Sequence, residues 1–284
     1  MDYLWALIDR ASTQASTIAL VGLPILLIEL LRNRGEFAAV LRRVFQPSTR
    51  VNLQTYAIDL LIVVGPLSLL IVSCRTLIER HAWTLFPSEW FAAWPLWAVI
   101  ALAVFVGDGI AYFRHRLEHA AWLWPSHSLH HSDESMNVLT TLRFHPINRL
   151  STVAIDMAAL FAIGFPAPVV LTSSVVRHVY GIFVHANVPW TLGPLGWVLV
   201  SPAMHRWHHV KEGPGVGTNF ASVFSVFDRL FGTHYCPGPC DQPTGVEGVE
   251  SNRLWPQWAG PFVAPFRSSR GRGQAASSSL GELK

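Results

Sequence analysis

The sequence predicts an all-α protein, a multi-pass transmembrane helical bundle with a cytoplasmic histidine-rich helical cap holding a di-metal site. Three observations predict it. Charged residues are 14% of the 284 and apolar residues 51%, against about 25% charged in an ordinary soluble domain. Five apolar runs come near the about 20 residues an α-helix needs to cross a bilayer core. All 13 histidines except His81 and His178 fall in, or at the edge of, two stretches that the runs bring to one side.

The first run is 16–31 and the second 56–77. The third, 91–113, is interrupted only by Asp108. The fourth and fifth, 150–165 and 167–188, meet at Pro166 and Pro168; proline ends helices, so the pair reads as a tight helical hairpin. A shorter run, 192–200, is bounded by Pro194 and Pro202 and suits an interfacial segment. The tail from Arg267 is rich in Ser, Gly and Arg and is expected to be disordered.

Orientation follows from the loop arginines. Arg32, Arg34, Arg42, Arg43 and Arg50 lie in the first loop, and only Arg75 and Arg80 at the second. Positive charge marks the cytoplasmic side. Parity then puts His115 to Arg149, and everything after about Val188, in the cytoplasm, with the N-terminus outside and the tail inside. The formal charge of +3 is spread over scattered arginines, so no nucleic-acid surface is expected. Three cysteines, Cys74, Cys236 and Cys240, give no disulfide framework. The N-terminus carries Asp2 and Asp9 without a basic cluster and does not read as a secretory signal.

The chemistry lies in the histidines. The first stretch holds His115 and His119, then His127, His130 and His131; the second holds His185, then His205, His208 and His209. Histidines four apart on a helix share a face and can share an ion. In each HxxHH group the adjacent pair diverges, so its members can serve neighbouring ions. Nine imidazoles exceed what one ion takes, and two ions are the economical reading. Imidazole suits zinc, copper, iron and nickel alike, but catalytic zinc needs only three protein ligands, and the HExxH motif of metalloproteases is absent. His145, in Arg143-Phe-His-Pro146, is a possible tenth ligand or a supporting group. His178 is seven residues before His185, too far along a helix to share its ion.

Asp108, Tyr112, His115 and His119 form a single helical stripe, so Asp108 is a candidate acceptor for the second N–H of a metal-bound imidazole. Asn219, Asp228 and His234 are further candidates. Asp156 and Arg177 stand inside the hairpin, ten residues before and eleven after Pro166. At about 1.5 Å per residue their depths match, and they are expected to form a buried ion pair, the alternative being that either faces a water-filled or substrate-lined cavity and acts alone.

These residues resemble the fatty acid hydroxylase/sterol desaturase superfamily of integral-membrane di-iron oxidases. The resemblance runs from Gly107 to Thr233. It comprises Asp108 and Tyr112 before His115-Arg-Leu-Glu-His119, His127 to His131, Arg143 to Pro146, His185-Ala-Asn187, His205 to His209, Asn219, and Phe227-Asp-Arg-Leu-Phe-Gly-Thr233. Four positions depart from the family pattern: Phe220-Ala221 where Tyr-Gly is common, Phe227 where Trp is usual, and Gly181 where some relatives carry a further His. The resemblance implies two iron ions, O2 as co-substrate, and hydroxylation or desaturation of a lipid or sterol at a C–H bond. Asp108, Tyr112, Asn219 and Asp228 would serve as catalytic residues around the nine metal histidines. Electrons would come from a separate donor of the ferredoxin, cytochrome b5 or reductase type. The setting would be a bacterial inner membrane, or the endoplasmic reticulum membrane in a eukaryote. The expected organisation is N-terminal transmembrane helices over 1–90, the catalytic domain over 91–240 and a C-terminal tail over 241–284. The alternative is a membrane metal-handling protein using the same histidines without oxygen chemistry, although a transporter places its ligands near the bilayer midplane.

Overall fold

A computed structural model describes residues 16–17, 19–28, 30–31, 38, 42 and 45–263. Among them there is no β-strand, only an isolated antiparallel bridge between Val210 and Thr244, so the all-α expectation holds. Four helical segments are long and apolar enough to cross a bilayer: Pro47–Arg80, Leu96–Glu118, Pro146–Ile163 and Ala167–Val184. They account for four of the five expected spans. Of the first run, a ten-residue stretch, Ala19–Ile28, forms a shorter apolar helix. Its Ile25 packs against Ala186 and Val188. The N-terminus, most of the arginine-rich loop and the tail from Arg267 lie outside the described residues.

The first long segment is one rod made of α1 (Pro47–Ile58), a π-helical turn (Asp59–Val63) and α2 (Val64–Arg80). It starts nine residues before the apolar run that predicted it. At about 1.5 Å per residue the rod exceeds the about 30 Å of a hydrocarbon core. Its polar first half therefore reaches into the cap, where Ser48 and Asn52 donate to the Asp133 carboxylate at 2.5 and 2.8 Å. Those polar residues hide this half from a hydropathy reading.

After the short helix α3 (Ser88–Ala92) the chain turns back as α4 (Leu96–Glu118). The hairpin follows the cap helix α5 (Trp124–His131). Its first arm is α6 (Pro146–Ser151), a second π-helical turn (Thr152–Met157) and α7 (Ala158–Ile163), and its second arm is α8 (Ala167–Val184). The turn between the arms needs a glycine. Gly164 has φ 105°, and a Cβ there would lie 2.0 Å from the Phe86 carbonyl oxygen. The amides of Leu85 and Phe86 donate to the carbonyls of Ala162 and Ile163 at 2.8 and 3.1 Å, tying the two far-end loops together.

Phe91, Ala103, Met157, Leu160, Phe165 and Val170 form the core of the far half, while Leu61, Ile62, Leu69 and Leu102 stay exposed on the outside of the bundle, as a lipid-facing surface requires. Exposed Trp83, Trp90, Trp94 and Trp97 gather at the far end and Trp122, Trp197 and Trp255 at the cap end; tryptophan favours both bilayer interfaces. The cap adds α9 (Pro202–His208), α10 (Val226–Leu230) and α11 (Leu254–Val263). Within Leu192–Val200, expected at the interface, Gly193–Trp197 forms a 3-10 turn, and Leu195, Trp197 and Val198 are exposed.

Candidate metal centre

The cap gathers the nine predicted histidines into two groups. His115, His119, His127, His131 and His208 form one; His130, His185, His205 and His209 form the other, and the ligand atoms within each group lie within 4.8 Å of one another. Each adjacent pair is split: His131 joins one group and His130 the other, as do His208 and His209. About 100° of helical rotation between neighbours does this. Prolines start both cap helices, Pro125 within α5 and Pro202 at the head of α9. The Ser201 side chain accepts the Met204 amide at 3.0 Å and caps α9.

The ring orientations test whether the groups fit metal ions. A neutral imidazole has one N–H and one lone pair. His115 and His208 donate their Nδ1–H to the carbonyls of Phe220 and Thr218 at 2.7 and 2.6 Å. Carbonyls only accept, so both Nε2 atoms are left as lone pairs, yet they face each other at 3.1 Å. His130 and His185 repeat this in the second group. Their Nδ1–H groups go to Arg143 and Gly181 carbonyls at 3.2 and 2.6 Å, and their Nε2 atoms face at 3.2 Å. Two lone pairs at that distance repel unless a cation lies against both. The spacing matches two imidazoles at right angles on one ion, about 2.1 Å from it and so about 3.0 Å apart. The buried His119 Nε2 has no hydrogen-bond partner. Burial and the neighbouring imidazoles hold His119, His127, His130, His131, His205, His208 and His209 well below the usual histidine range. His185 is lowered to about 4, chiefly by burial. The rings are thus in the neutral form that binds metal.

The four residues expected to be catalytic bind the loop beneath the histidines. Asp108 meets no imidazole. Its carboxylate accepts the amides of Ser222, Val223 and Phe224 at 2.8–3.3 Å, and so fixes the loop whose Phe220 carbonyl orients His115. Asp228 accepts the amides of Phe220 and Ala221 at 2.7 and 3.0 Å. Tyr112 reaches the same loop through Thr233 at 2.9 Å. Asn219, at φ 58°, bridges the Met204 and Tyr235 carbonyls at 2.9 and 2.6 Å. Through these bonds all four hold the loop beneath His115 and His208. Asp108→Asn is expected to keep the metals while turnover falls roughly tenfold to hundredfold; metal content measured beside rate checks it, and a loss of metal as large as the loss of rate would refute the positioning role.

His145 belongs to neither group. Its Nδ1 accepts the Ile147 amide at 3.2 Å as the cap of α6, and its Nε2 lies 3.1 Å from the Trp258 carbonyl. His234 sits 2.9 Å from Arg229, and His81 stacks on Trp83 at the far end. The three cysteines are unpaired.

Sequence reasoning missed Glu118. It is fully buried, its Oε2 is 3.4 Å from His127 Nδ1 and 3.0 Å from Arg114 Nη1, and its Oε1 accepts from Ser151. It is the carboxylate beside an imidazole that Asp108 was expected to be. Arg143 was seen only as part of a motif. Fully buried, it donates to the Leu129 carbonyl at 2.9 Å, to Ser48 Oγ at 3.0 Å and to the Ser251 carbonyl at 2.6 Å, locking α5 to α1 and to the segment before α11.

The expected Asp156–Arg177 pair is present at 3.0 Å. Asp156 also holds Arg114 at 2.8 Å. Between these ions and the two histidine groups lies a cavity of about 170 Å³, lined by members of both groups.

The sequence profile of the fatty acid hydroxylase family matches residues 100–233. That segment is similar to the fatty acid hydroxylase family. It contains all nine clustered histidines, from His115 to His209. Among curated relatives, the ornithine lipid hydroxylase OlsE of Rhizobium tropici is 34% identical over 175 residues, 61% of this chain and 53% of that protein. The alkylglycerol monooxygenase of Caenorhabditis elegans is 29% identical over 171 residues, 60% of this chain and 32% of that protein. Methylsterol monooxygenase 2-2 of Arabidopsis thaliana is 26% identical over 153 residues, 49% of this chain and 54% of that protein. The chain thus spans about half the length of the first relative and a third of the second. No solved structure matches.

Proposed function

We propose that the protein is a membrane-bound di-iron oxidoreductase that hydroxylates a lipid at a C–H bond, with O2 as the oxidant. The facing Nε2 lone pairs in two adjacent groups carry this reading. The relatives named as lipid and sterol monooxygenases support the reaction class. Bound iron supplies the redox chemistry by which O2 is reduced. In the overall change R–H, O2, two electrons and two protons give R–OH and water, the electrons coming from a separate donor protein of the ferredoxin, cytochrome b5 or reductase type. Desaturation would draw on the same components but remove a second hydrogen.

The chain's own part is positioning. His115, His119, His127, His131 and His208 would hold one ion, and His130, His185, His205 and His209 the other. Backbone carbonyls fix His115, His130, His185 and His208, and Glu118 orients His127; groups of this kind set ligand direction and basicity.

Elemental analysis of active protein is expected to give about two iron ions per chain; one ion or none would sink the reading. Zinc after overexpression would not, because zinc outcompetes ferrous iron at imidazole sites. We also propose that the cap is cytoplasmic, on the strength of the loop arginines. Reporter fusions after His127 and after His205 are expected on the same, cytoplasmic side, and opposite sides would overturn both the topology and the shared centre.

A further inference from the structure

His178 lies inside a span yet joins neither histidine group. It stands on α8 seven residues before His185, two helical turns away on the same face, or about 10 Å along the axis. Both residues line the cavity of about 170 Å³. The other ionisable residues of that lining are committed. His115, His127, His130, His185 and His205 belong to the metal groups. Arg114 and Arg177 pair with Asp156, Arg114 also with Glu118, and Arg149 with Asp59. Three arginines meet three carboxylates and their charges cancel. His178 is left as the lining residue whose charge can change without breaking an ion pair or a ligand set.

The cavity suits water. Arg149 and Arg177 each carry a buried Nε–H with no acceptor in the protein, and the Arg177 side chain is only 9% exposed. Thr141 and Thr152 give their hydroxyl protons to the carbonyls of Val138 and Asn148 at 3.1 and 2.9 Å and keep lone pairs that can accept. Water meets buried donors and acceptors of this kind where there is space, and at roughly 30 Å³ per molecule the cavity holds about five. His178 is half-buried and lies beside Arg149, whose side chain is 22% exposed, so the wall reaches the surface there.

Reduction of O2 at buried ions consumes protons, two per O2 when a C–H bond is hydroxylated. Histidines that ligate metal through one nitrogen and bond a carbonyl through the other cannot carry them. Ionisable groups inside spans are costly and include proton relays, and imidazole is the side chain best matched to proton transfer near neutral pH. We infer that His178 passes protons into a water cluster held by this cavity and so supplies the metal centre from the Arg149 side. This rests on the oxygen-reducing reading of the same centre.

The test needs no lipid substrate. Iron-loaded full-length protein in nanodiscs is reduced with dithionite without oxygen, then mixed with O2 in a buffer carrying a pH indicator. Two ferrous ions, O2 and two protons give two ferric ions and hydrogen peroxide, so reoxidation and proton uptake are read together. His178→Ala is expected to keep its iron and to slow both roughly hundredfold, with 4-methylimidazole in the buffer restoring most of the loss and leaving the parent protein unchanged. Gly181→Leu fills the cavity, since a Cβ there meets only Thr141 Cγ2, at 3.7 Å. It should be as slow, should not respond to 4-methylimidazole, and decides the matter where His178→Ala does not fold. Hydroxyl-radical labelling from irradiated water reads hydration without any iron chemistry. Phe144 on the cavity wall should be oxidised faster than Phe161 in the apolar core, and Gly181→Leu should remove the difference. Full-rate reoxidation in either variant, a slow His178→Ala that 4-methylimidazole does not restore, or Phe144 labelled no faster than Phe161 would each overturn the inference and leave the hydroxylase reading intact. Ferrous parent protein that does not react with O2 would sink the oxygen-reducing reading and the relay with it.

Discussion

Alanine at His119 or at His208 is expected to reduce turnover to background while the protein still inserts in the membrane. The two residues come from helices far apart in sequence, one at the end of α4 and one at the end of α9, yet their rings lie 4.8 Å apart within the five-histidine group. His208 faces His115 at 3.1 Å, and the buried His119 Nε2 has no partner in the protein. A side chain whose ligating atom has no other use contributes little to folding, so its loss should fall on the metal and not on insertion. Membrane fractionation, metal content and rate, measured together, check this. Each variant should hold about one ion firmly, because the four-histidine group remains whole. Substantial turnover in either variant would refute a shared centre.

Much of this centre was legible in the sequence because helical rotation is a local property. The adjacent histidines of each HxxHH group diverge by about 100° whatever surrounds them, which is why the division into two groups could be read from spacing. The match in depth of Asp156 and Arg177 came from the same arithmetic. The role of Asp108 was not legible. Its stripe with His115 is real, but the side chain turns to the amides of Ser222 to Phe224. That partner arrives from more than a hundred residues away, and no periodicity encodes it. Glu118 had a signal that went unread, a carboxylate between two ligand histidines with Arg114 one turn earlier. The first half of α1 was invisible for a different reason. Its contacts with Asp133 and Arg143 are polar, and hydropathy finds spans, not the parts of helices that leave the membrane.

The buried ions give the second large effect, and its asymmetry is the informative part. Asp156 is fully buried and holds Arg114 at 2.8 Å and Arg177 at 3.0 Å, with 11% and 9% of those side chains exposed. Removing it strands two guanidinium groups, of which only Arg114 has another acid, Glu118 at 3.0 Å. Breaking a buried pair from one side costs about 3–5 kcal/mol, and Asp156→Ala is expected at the upper end of that range. Arg177→Ala should cost less, about 1–3 kcal/mol, because Asp156 keeps Arg114. The double variant removes one acid and one base together and leaves Arg114 with Glu118. It should therefore be clearly more stable than the sum of the single losses predicts, and no worse than Asp156→Ala alone. Thermal unfolding of the four proteins in one detergent measures the cycle. Additive losses would mean that the two side chains do not act on each other, and equal losses for the two single variants would mean that Asp156 does not serve both arginines.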